Sequence, residues 1–410
     1  MTARDVPATH CTGYDTADEA ARAGWDDVPG ATGIYRSSRW LRSLDAHDTG
    51  ARRRYWIARR GGAAVGAACM FVPRAGDNPS IDARALVIGD LAAETSEFEG
   101  STDAPTDAAR YGASIAALDR ALPATPEWGV VALPFAWQPG VWGIDCAVTG
   151  GLLDAVIDDG PTGVTGVPDE AHELVACLRA RGFHRVAQRP TTVLDLRQTR
   201  TWSQYLARLP KPRRTAVAHE RNAFPADARV TVVPLPELDD GTRDGVADVL
   251  AAHDTAKGQQ MTAARMTRTL CDLTEVFADR VEAMVCILGG RVAGAVIRLV
   301  DEADLAVKMY GADPKLLPRE VFPYFNLCFY ETIERAGGCG VDTVHYGPTT
   351  YAAKLRRGCR LRPLTVWVRT DGTDDTDGNG PATDLHCVDS FRRRALAHVY
   401  GLADPASDPD

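Results

Sequence analysis

Two similar stretches, YWIARRGGAAVGAA at residues 55–68 and MVCILGGRVAGAV at residues 284–296, establish how this chain folds. Each places a Gly-Gly pair between two apolar runs. Such a pair supplies the positive φ angles of a two-residue turn, so both stretches predict β-hairpins. Gly66 and Gly294 fall at matching places in the second strand of each hairpin, where glycine marks a bulge or a close backbone approach. The repetition indicates a duplicated domain.

Similar elements follow the two hairpins in the same order. In the first half, a predicted helix over residues 113–122 precedes an apolar strand at 129–133. In the second half, a predicted helix over 323–336 precedes a strand at 341–345, and we match these elements to their counterparts in the first half. The expected fold class is therefore α/β (α+β), with two tandem domains that contain mixed sheets.

The halves are expected to join near the apolar strand TTVLDL at residues 191–196. Residues 77–106 are rich in Asp, Ser, Gly and Pro and predict a long loop insertion in the first half. The last forty residues begin with an acidic stretch, which predicts a linker before a terminal helix around 389–400. The resulting division is an N-terminal domain at 1–195, a C-terminal domain with the active site at 196–370, and the linker and helix at 371–410.

Composition places the chain among ordinary globular proteins. Of its 410 residues, 45% are hydrophobic and 25% are charged, and a chain of this length favours two domains. The N-terminal residues contain no apolar run of the length that a signal peptide or a membrane span needs, so we expect a cytoplasmic protein without a membrane span. The ten cysteines are scattered, which predicts reduced thiols and no metal site, with a single catalytic cysteine as the alternative.

The net charge of −9 argues against a DNA-binding protein, because DNA affinity depends on many Lys and Arg contacts to phosphates. Basic residues are nevertheless concentrated in two segments. Residues 200–221 contain a single acid, Glu220, and residues 354–369 contain none. These two patches favour a confined anionic partner, such as a phosphate, a carboxylate or one end of a tRNA, and two solvated faces are the alternative interpretation.

Two segments resemble a known family. The first runs from Thr192-Val193-Leu194-Asp195-Leu196 through Trp202 and Tyr205 to Lys211 and Arg214, and it resembles the LDL…W..Y…L..K.R junction of Fem-like proteins of the GNAT superfamily. The second is HYGPTTYAAKLRRG at residues 345–358, which resembles the Y.G…Y..K…G segment of the same proteins. The resemblance covers about residues 30–370 and implies two GNAT-like domains that transfer an acyl or aminoacyl group to an amine.

One segment departs from the pattern of the superfamily, and this departure concerns the acyl donor. Acetyl-CoA-dependent relatives hold the pyrophosphate with backbone N–H groups of a glycine-rich loop, as glycine-rich anion loops do generally. Here the corresponding segment, residues 311–323, contains three prolines and two acids. Proline has no N–H to donate, so the segment disfavours CoA and favours a Fem-like donor, which in that family is an aminoacyl-tRNA. We therefore predict no bound cofactor.

Polar side chains at the ends of two strands are the candidate site. Lys308, Tyr310 and His345 are the predicted catalytic residues; a lysine that reaches the sheet edge, a half-buried strand tyrosine and a hydrogen-bonded histidine are the alternatives. His253, Asp254 and Lys257 lie on a predicted helix that can overlook the same cleft, and only their polarity singles them out. Arginine stays protonated and forks onto phosphate. The predicted substrate-binding residues are Lys211, Arg213, Arg214, Tyr346, Tyr351, Lys354 and Arg357.

Three functions remain open at this level. The first is a Fem-like aminoacyltransferase that acts on an amine of a cell-wall precursor or a small secondary metabolite. The second is an acyl-CoA-dependent N-acyltransferase that holds its donor by other residues. The third is a non-catalytic binding protein with a degenerate GNAT fold.

Overall fold

The computed structural model describes residues 8–31, 33–47, 52–72, 82–89, 104–122, 128–133, 136–160, 162–301, 303–369 and 380–400. The chain divides into two compact units. The first comprises Met1–Pro190 together with Arg362–Asp410, and the second comprises Thr191–Leu361. This division returns the C-terminal residues to the first unit, whereas the sequence-based division assigned residues up to 370 to the second domain.

The first unit contains a mixed sheet. Its strands lie in the order β1-β2-β3-β4-β7-β14, followed by the first part of β8; β5 pairs with β4 and β6 with β3. Strand β4 pairs with β7 in parallel, whereas the pairs β1-β2, β2-β3, β3-β4, β3-β6, β4-β5 and β7-β14 are antiparallel. The strands are β1 (Thr9–Tyr14), β2 (Arg52–Arg60), β3 (Ala63–Val72), β4 (Gly129–Leu133), β5 (Gln138–Pro139), β6 (Val141–Gly143), β7 (Thr162–Pro168), β8 (Phe183–Asp195) and β14 (Arg360–Arg369).

Helices cover this sheet because their apolar sides pack on it. The helix after β6 buries Val148, Leu152, Leu153 and Val156 against strand residues such as Trp56. The helices are α1 (Ala17–Arg22), α2 (Ser38–His47), α3 (Ala83–Ile88), α4 (Ala104–Ala121), α5 (Cys146–Ile157), α6 (His172–Arg179) and the C-terminal α14 (Pro381–Tyr400). Helix α14 packs against α4, which explains why the C-terminal residues belong to this unit.

The second unit also contains a mixed sheet. Its strands lie in the order β8-β13-β12-β11-β10-β9, and the pair β12 with β13 is parallel, whereas the other pairs are antiparallel. Strand β8 runs from the first unit into the second, so its last residues, from Thr191 onward, supply the first strand here. The other strands are β9 (Arg229–Pro234), β10 (Val281–Leu288), β11 (Arg291–Asp301), β12 (Asp304–Ala312) and β13 (Thr343–Gly347).

Several helices of this unit begin at a side-chain cap. Thr201, Asp239 and Thr262 each accept a hydrogen bond from a backbone N–H of the first turn, which satisfies donors that have no partner within the helix. A π-helical segment, Asn326–Glu331, joins α11 to α12. The helices are α7 (Trp202–Arg208), α8 (Lys211–Asn222), α9 (Asp240–Ala256), α10 (Ala263–Phe277), α11 (Pro323–Phe325), α12 (Thr332–Gly338) and α13 (Tyr351–Leu355).

Both predicted hairpins are confirmed, β2-β3 in the first unit and β10-β11 in the second. The four glycines of the two turns all have positive φ. A bulge interrupts the ladder beside Gly66, after Ala58, and beside Gly294, after Cys286. At both glycines a helix approaches closely: a Cβ at Gly66 would lie 2.5 Å from Val148 of α5, and a Cβ at Gly294 would lie 2.8 Å from Leu327. The two hairpins therefore occupy equivalent positions.

The match between the following elements needs a correction. Strand β4, the sequence 129–133, corresponds to β12 rather than to the strand near 341–345, because each lies antiparallel to its hairpin and then parallel to the next strand. The counterpart of β13 is therefore β7. Helix α5 corresponds to the helical stretch that begins at Pro323, since each connects the parallel strands. The long stretch of chain between β3 and β4 obscured this match in the sequence.

Two further expectations are corrected. Residues 77–106 are not entirely loop, because Ala83–Ile88 is helical between its caps Asp82 and Gly89 and α4 begins at Ala104. Residues 77–81 and 90–103 lie outside the described residues. The terminal helix begins at Pro381 rather than near 389, and the acidic linker before it is also outside them. Across the parts of the chain that the structure describes, no helix combines the length and apolar character that crossing a membrane requires.

Candidate active site

The second unit contains a gap between its two parallel strands. Strands β12 and β13 pair only over Asp304–Ala306 and Thr343–His345. Strand β12 continues to Ala312 and β13 to Gly347, and the described residues make no further pair between them. The carboxyl ends of the strands therefore separate, and this is the edge at which α/β sheets commonly bind ligands.

Lys308 is the extra residue of a β-bulge on the β12 side of this gap. Val307 pairs with Arg298 and Met309 pairs with Ile297, so Lys308 has no opposite residue on β11. A bulge of this kind redirects a side chain, and bulges are frequent beside active sites. Lys308 is partly buried, and removal of its ammonium from water lowers its pKa to about 8. The predicted catalytic lysine thus occupies a special position in the strand.

Helix α9 brings a histidine to the neighbouring tyrosine. The backbone at Gly311 lies so close to that at Val249 that a side chain there would collide with the helix. One helical turn further on, His253 meets Tyr310 edge to face, with 5.0 Å between the ring centroids. Burial, followed by the charge of Lys257, lowers the pKa of His253, which favours a neutral imidazole. The close packing of α9 on β12 therefore positions a proton acceptor.

An aromatic cluster continues from Tyr310 along the helical stretch to β13. We define it as Tyr310, Tyr324, Phe325, Phe329 and Tyr346. Tyr310 contacts Tyr324 at 5.1 Å between centroids, and Phe329 stacks on Tyr346 at 4.1 Å. Tyr346 is 7% exposed, and its hydroxyl has no hydrogen-bond partner among the described residues. Since buried polar groups are nearly always paired, this hydroxyl is an exception in the core of the second unit.

Lys354 stabilises the turn after β13. Its Nζ donates hydrogen bonds to the carbonyl oxygens of Tyr346, Gly347 and Pro348 at 2.8, 3.0 and 2.9 Å. The hydroxyl of Thr192 donates to the same Gly347 carbonyl at 2.6 Å. Lys354 is only 2% exposed, and burial lowers its pKa to about 8. All three ammonium hydrogens can be used within the protein, so the lysine holds the backbone that carries Tyr346.

Arg357 belongs to a buried ion network between α8 and the helical stretch after β12. Its Nη2 lies 2.5 Å from Glu220 Oε2, and its Nε donates to the hydroxyl of Tyr330 at 3.0 Å. Tyr330 also donates to Glu220, and the guanidinium of Arg357 lies over the ring of Phe325. Every strong partner of Arg357 is thus internal to the second unit, and the arginine stabilises the packing behind the aromatic cluster.

The basic residues of α8 have a different environment. Lys211, Arg213 and Arg214 are exposed, as is Arg356 after α13. Arg213 donates a hydrogen bond to the carbonyl of Leu355 at 3.1 Å, so the start of α8 contacts the end of α13. The two basic segments therefore meet, but the exposed patch contains these four side chains and leaves Lys354 and Arg357 in the interior.

His345 lies away from the aromatic cluster, and Tyr351 is buried. His345 is partly exposed between the buried Val344 and Tyr346, so it lies on the opposite face of the strand. Its Nε2 lies 3.6 Å from Asp304 Oδ1. Tyr351, at the start of α13, is 5% exposed. Tyr310 and Tyr346 belong to the aromatic cluster, Lys308 lies on β12 beyond its last pair with β13, and His345 lies on the opposite face of β13.

In the segment after β12, most backbone N–H groups donate hydrogen bonds within the protein. Asp313 N donates to Ala293 O, and Lys315 N donates to the Asp313 carboxylate. The amides of Leu316, Leu317, Val321 and Phe322 also donate to carbonyls inside the segment. Positions 314, 318 and 323 are prolines. Few N–H groups remain to bind a pyrophosphate.

Sequence reasoning missed Tyr324, Phe325 and Glu220. The dense aromatic run FPYFNLCFY at 322–330 was a usable signal, and its π-helical part is of a kind that is frequent at functional sites. Glu220 stood out as the single acid of a basic segment, but its pairing with Arg357 required the fold. Among the described residues, no cluster of His, Cys, Asp or Glu is placed to bind a metal ion.

Comparison with known proteins supports the fold. No protein-family model matches the sequence, and no curated protein sequence matches it significantly. The structure is similar to that of FemX, with a TM-score of 0.50 at 9% identity over 87% of this chain and 96% of that chain.

Two further solved structures are similar at lower scores. A tandem GNAT protein from the clavulanic acid biosynthesis pathway has a TM-score of 0.43 at 14% identity over 90% of this chain and 100% of that chain. L-PGS from Bacillus licheniformis has a TM-score of 0.44 at 10% identity over 65% of this chain and 84% of that chain. The expected α/β fold class with mixed sheets is confirmed, and the fold is similar to that of FemX.

Proposed function

We propose that this protein is an acyltransferase whose second unit transfers an aminoacyl group from an aminoacyl-tRNA to an amine. The acceptor is an amine of a cell-wall precursor or of a small secondary metabolite. The gap between β12 and β13 carries this proposal, because it combines a bulge lysine, Lys308, with the buried and unpartnered hydroxyl of Tyr346. Both can donate hydrogen bonds to a carbonyl oxygen as it gains negative charge.

The chemistry needs one proton transfer. The acceptor nitrogen attacks the ester carbonyl carbon, a C–N bond forms, the C–O ester bond breaks, and the proton lost by the amine ends on the leaving ribose oxygen. In this proposal the neutral His253 takes that proton and passes it on, a role that the sequence had assigned to His345. Tyr310 contacts His253 and orients its ring.

The donor assignment rests on the segment 311–323. A CoA pyrophosphate needs several free backbone N–H groups. Most backbone N–H groups of this segment instead donate hydrogen bonds to carbonyl oxygens or to the Asp313 carboxylate. The exposed side chains of Lys211, Arg213, Arg214 and Arg356 are suited to the phosphates of a tRNA acceptor end. The buried Lys354 and Arg357 act in this proposal through the backbone and packing that they stabilise.

Donor consumption is the direct test. The purified protein is incubated with a mixture of charged tRNAs and, separately, with acyl-CoAs, each with a panel of amines, and the loss of each donor is followed. We expect loss of charged tRNA and no loss of acyl-CoA. Calorimetry with CoA should give no binding in the micromolar range. Micromolar CoA affinity that acetyl-CoA competes for would identify an acyl-CoA enzyme instead, and binding of charged tRNA without turnover would identify a binding protein.

A further inference from the structure

Two cysteines of the first unit lie in contact where helix α6 packs on α5. Cys146 is the first residue of α5 and is exposed, whereas Cys177 on α6 is 7% exposed. The thiol of Cys177 donates a hydrogen bond to the carbonyl oxygen of Cys146, with 3.4 Å between sulfur and oxygen. Burial raises the pKa of the Cys177 thiol, and the Cys146 thiol raises it further through its charge and a hydrogen bond. The two sulfur atoms are therefore neighbours.

A bidentate ion pair holds the two helices in this register. Arg181, just after α6, donates from Nε and Nη2 to the two carboxylate oxygens of Asp154 on α5 at 2.7 and 2.8 Å. Its Nη1 donates to the carbonyl oxygen of Cys177 at 3.1 Å. Gly150 leaves room for this arginine, because a Cβ there would lie 2.6 Å from Arg181 Nη2. Bidentate pairs of this kind are geometrically specific, so the thiols stay adjacent without a covalent bond.

The pair differs from other exposed thiols of the chain. Cys271 and Cys339 are exposed as well, but among the described residues neither makes a hydrogen bond with a second cysteine. Oxidation of an isolated thiol stops at a sulfenic acid, proceeds to irreversible acids or links two molecules. Oxidation of Cys146 instead places the reactive sulfur beside a second thiol of the same molecule.

We propose that Cys146 and Cys177 form a reversible disulfide when the protein meets a peroxide, and that this bond stabilises the first unit. The exposed Cys146 reacts first: its sulfur attacks one peroxide oxygen, the O–O bond breaks, and a sulfenic acid and water form. The Cys177 sulfur then attacks the sulfenic sulfur, the S–S bond forms, the S–O bond breaks, and the hydroxyl leaves as water with the Cys177 proton. The two thiols together lose two electrons, and one peroxide is reduced to two waters.

The new bond closes the stretch of chain that runs from α5 through β7 to α6. A cross-link of this kind restricts the unfolded chain and therefore favours the folded state. A reducing dithiol reverses it by thiol–disulfide exchange. Both thiols belong to the first unit, so the disulfide is independent of the transfer reaction proposed for the second unit.

Peptide mapping and calorimetric unfolding of the full-length protein test the proposal. The reduced protein is treated with a small excess of hydrogen peroxide, and the remaining thiols are blocked with iodoacetamide. We expect Cys146 to be linked to Cys177, and the melting temperature of the transition that includes the first unit to rise by about 5 °C or more. Dithiothreitol should reverse both changes. A sulfinic acid at Cys146 without a link, or links among other cysteines alone, would overturn the proposal. A link without a rise in melting temperature would overturn the stabilisation.

A pair of serine variants supplies the control. Cys146→Ser changes an exposed side chain, so it should fold normally, while it removes the partner of Cys177. Both the link and the rise in melting temperature should disappear in this variant. Cys271→Ser, at an exposed thiol of α10, should keep both. A peroxide-induced rise that persists in Cys146→Ser, or that is lost in Cys271→Ser, counts against the disulfide.

Discussion

The two units differ at the point where the pairing of their two parallel strands ends. In the first unit, β4 and β7 pair in parallel over Gly129–Val131 and Thr162–Val164, and β5 then pairs with the remaining residues of β4 and packs against β7. The backbone of Gln138 in β5 approaches Gly166 of β7 closely. In the second unit, the corresponding strands β12 and β13 separate, and no described strand enters between them. The gap is therefore filled in the first unit and unfilled in the second, which supports the proposed site in the second unit.

The largest expected effect concerns the side chains that hold the helix between the parallel strands of each unit. Glu220→Gln leaves the buried Arg357 without its charge partner, so it should destabilise the second unit by about 3–5 kcal/mol. The matched change in the first unit is Asp145→Asn, which weakens the cap of α5 and the partly exposed pair with Arg60. Since asparagine also caps helices, its effect should be under about 1 kcal/mol. Denaturant unfolding measures both, and equal effects would mean that the ion network adds nothing special.

The second prediction concerns activity at the gap. Lys308→Met should lower kcat/KM by about 10²-fold or more, with little change in unfolding, because it removes a donor to the developing oxyanion. The control is Gln138→Ala in the filled gap of the first unit, which should leave kcat/KM within about twofold of the original protein. A larger loss of activity from Gln138→Ala than from Lys308→Met would show that the assignment of the site to the second unit is wrong.

The third prediction concerns pH and Lys354. Burial lowers its pKa to about 8 in the folded protein, from 10.5 in the unfolded chain. Between these values the unfolded state binds more protons, so this lysine contributes a stability that rises with pH. The stability of the original protein relative to Lys354→Met should increase by about 1–3 kcal/mol from pH 7 to pH 10. Parallel pH profiles for the two proteins would show that the ammonium is not desolvated.

The stabilising role of Lys354 differs from the anion-binding role that its sequence context predicts. By sequence, Lys354 and Arg357 belonged to an anion-binding patch, so their replacement would weaken substrate binding with little effect on stability. Their burial and internal hydrogen bonds predict the opposite balance, a loss of stability first. Measurement of both quantities on Arg357→Ala distinguishes the two interpretations.

The smallest expected effect is the difference in stability between alanine substitutions at the two bulge glycines, Gly66 and Gly294. Gly66→Ala would place its Cβ 2.5 Å from Val148 Cγ1 and 2.9 Å from the carbonyl oxygen of Trp142, whereas Gly294→Ala meets mainly the flexible ends of Leu327 and Leu317, the nearest at 2.8 Å. Backbone cannot move aside as a leucine tip can, so Gly66→Ala should be more destabilising by about 1 kcal/mol. Thermal unfolding of both variants gives the difference, and the reverse order would show that the contact with the Trp142 backbone does not decide the cost.

Local sequence patterns were enough to establish the two hairpins, their bulge glycines and the duplicated α/β fold, because turn geometry and strand alternation depend on neighbouring residues. They also identified Lys308, Tyr310 and Tyr346 as residues at strand ends. The three-dimensional packing was needed to show that Lys354 and Arg357 are buried, that Glu220 pairs with Arg357, and that His253 rather than His345 faces Tyr310. Burial and charge pairing depend on which segments, far apart in the sequence, come into contact. No local sequence pattern encodes those contacts.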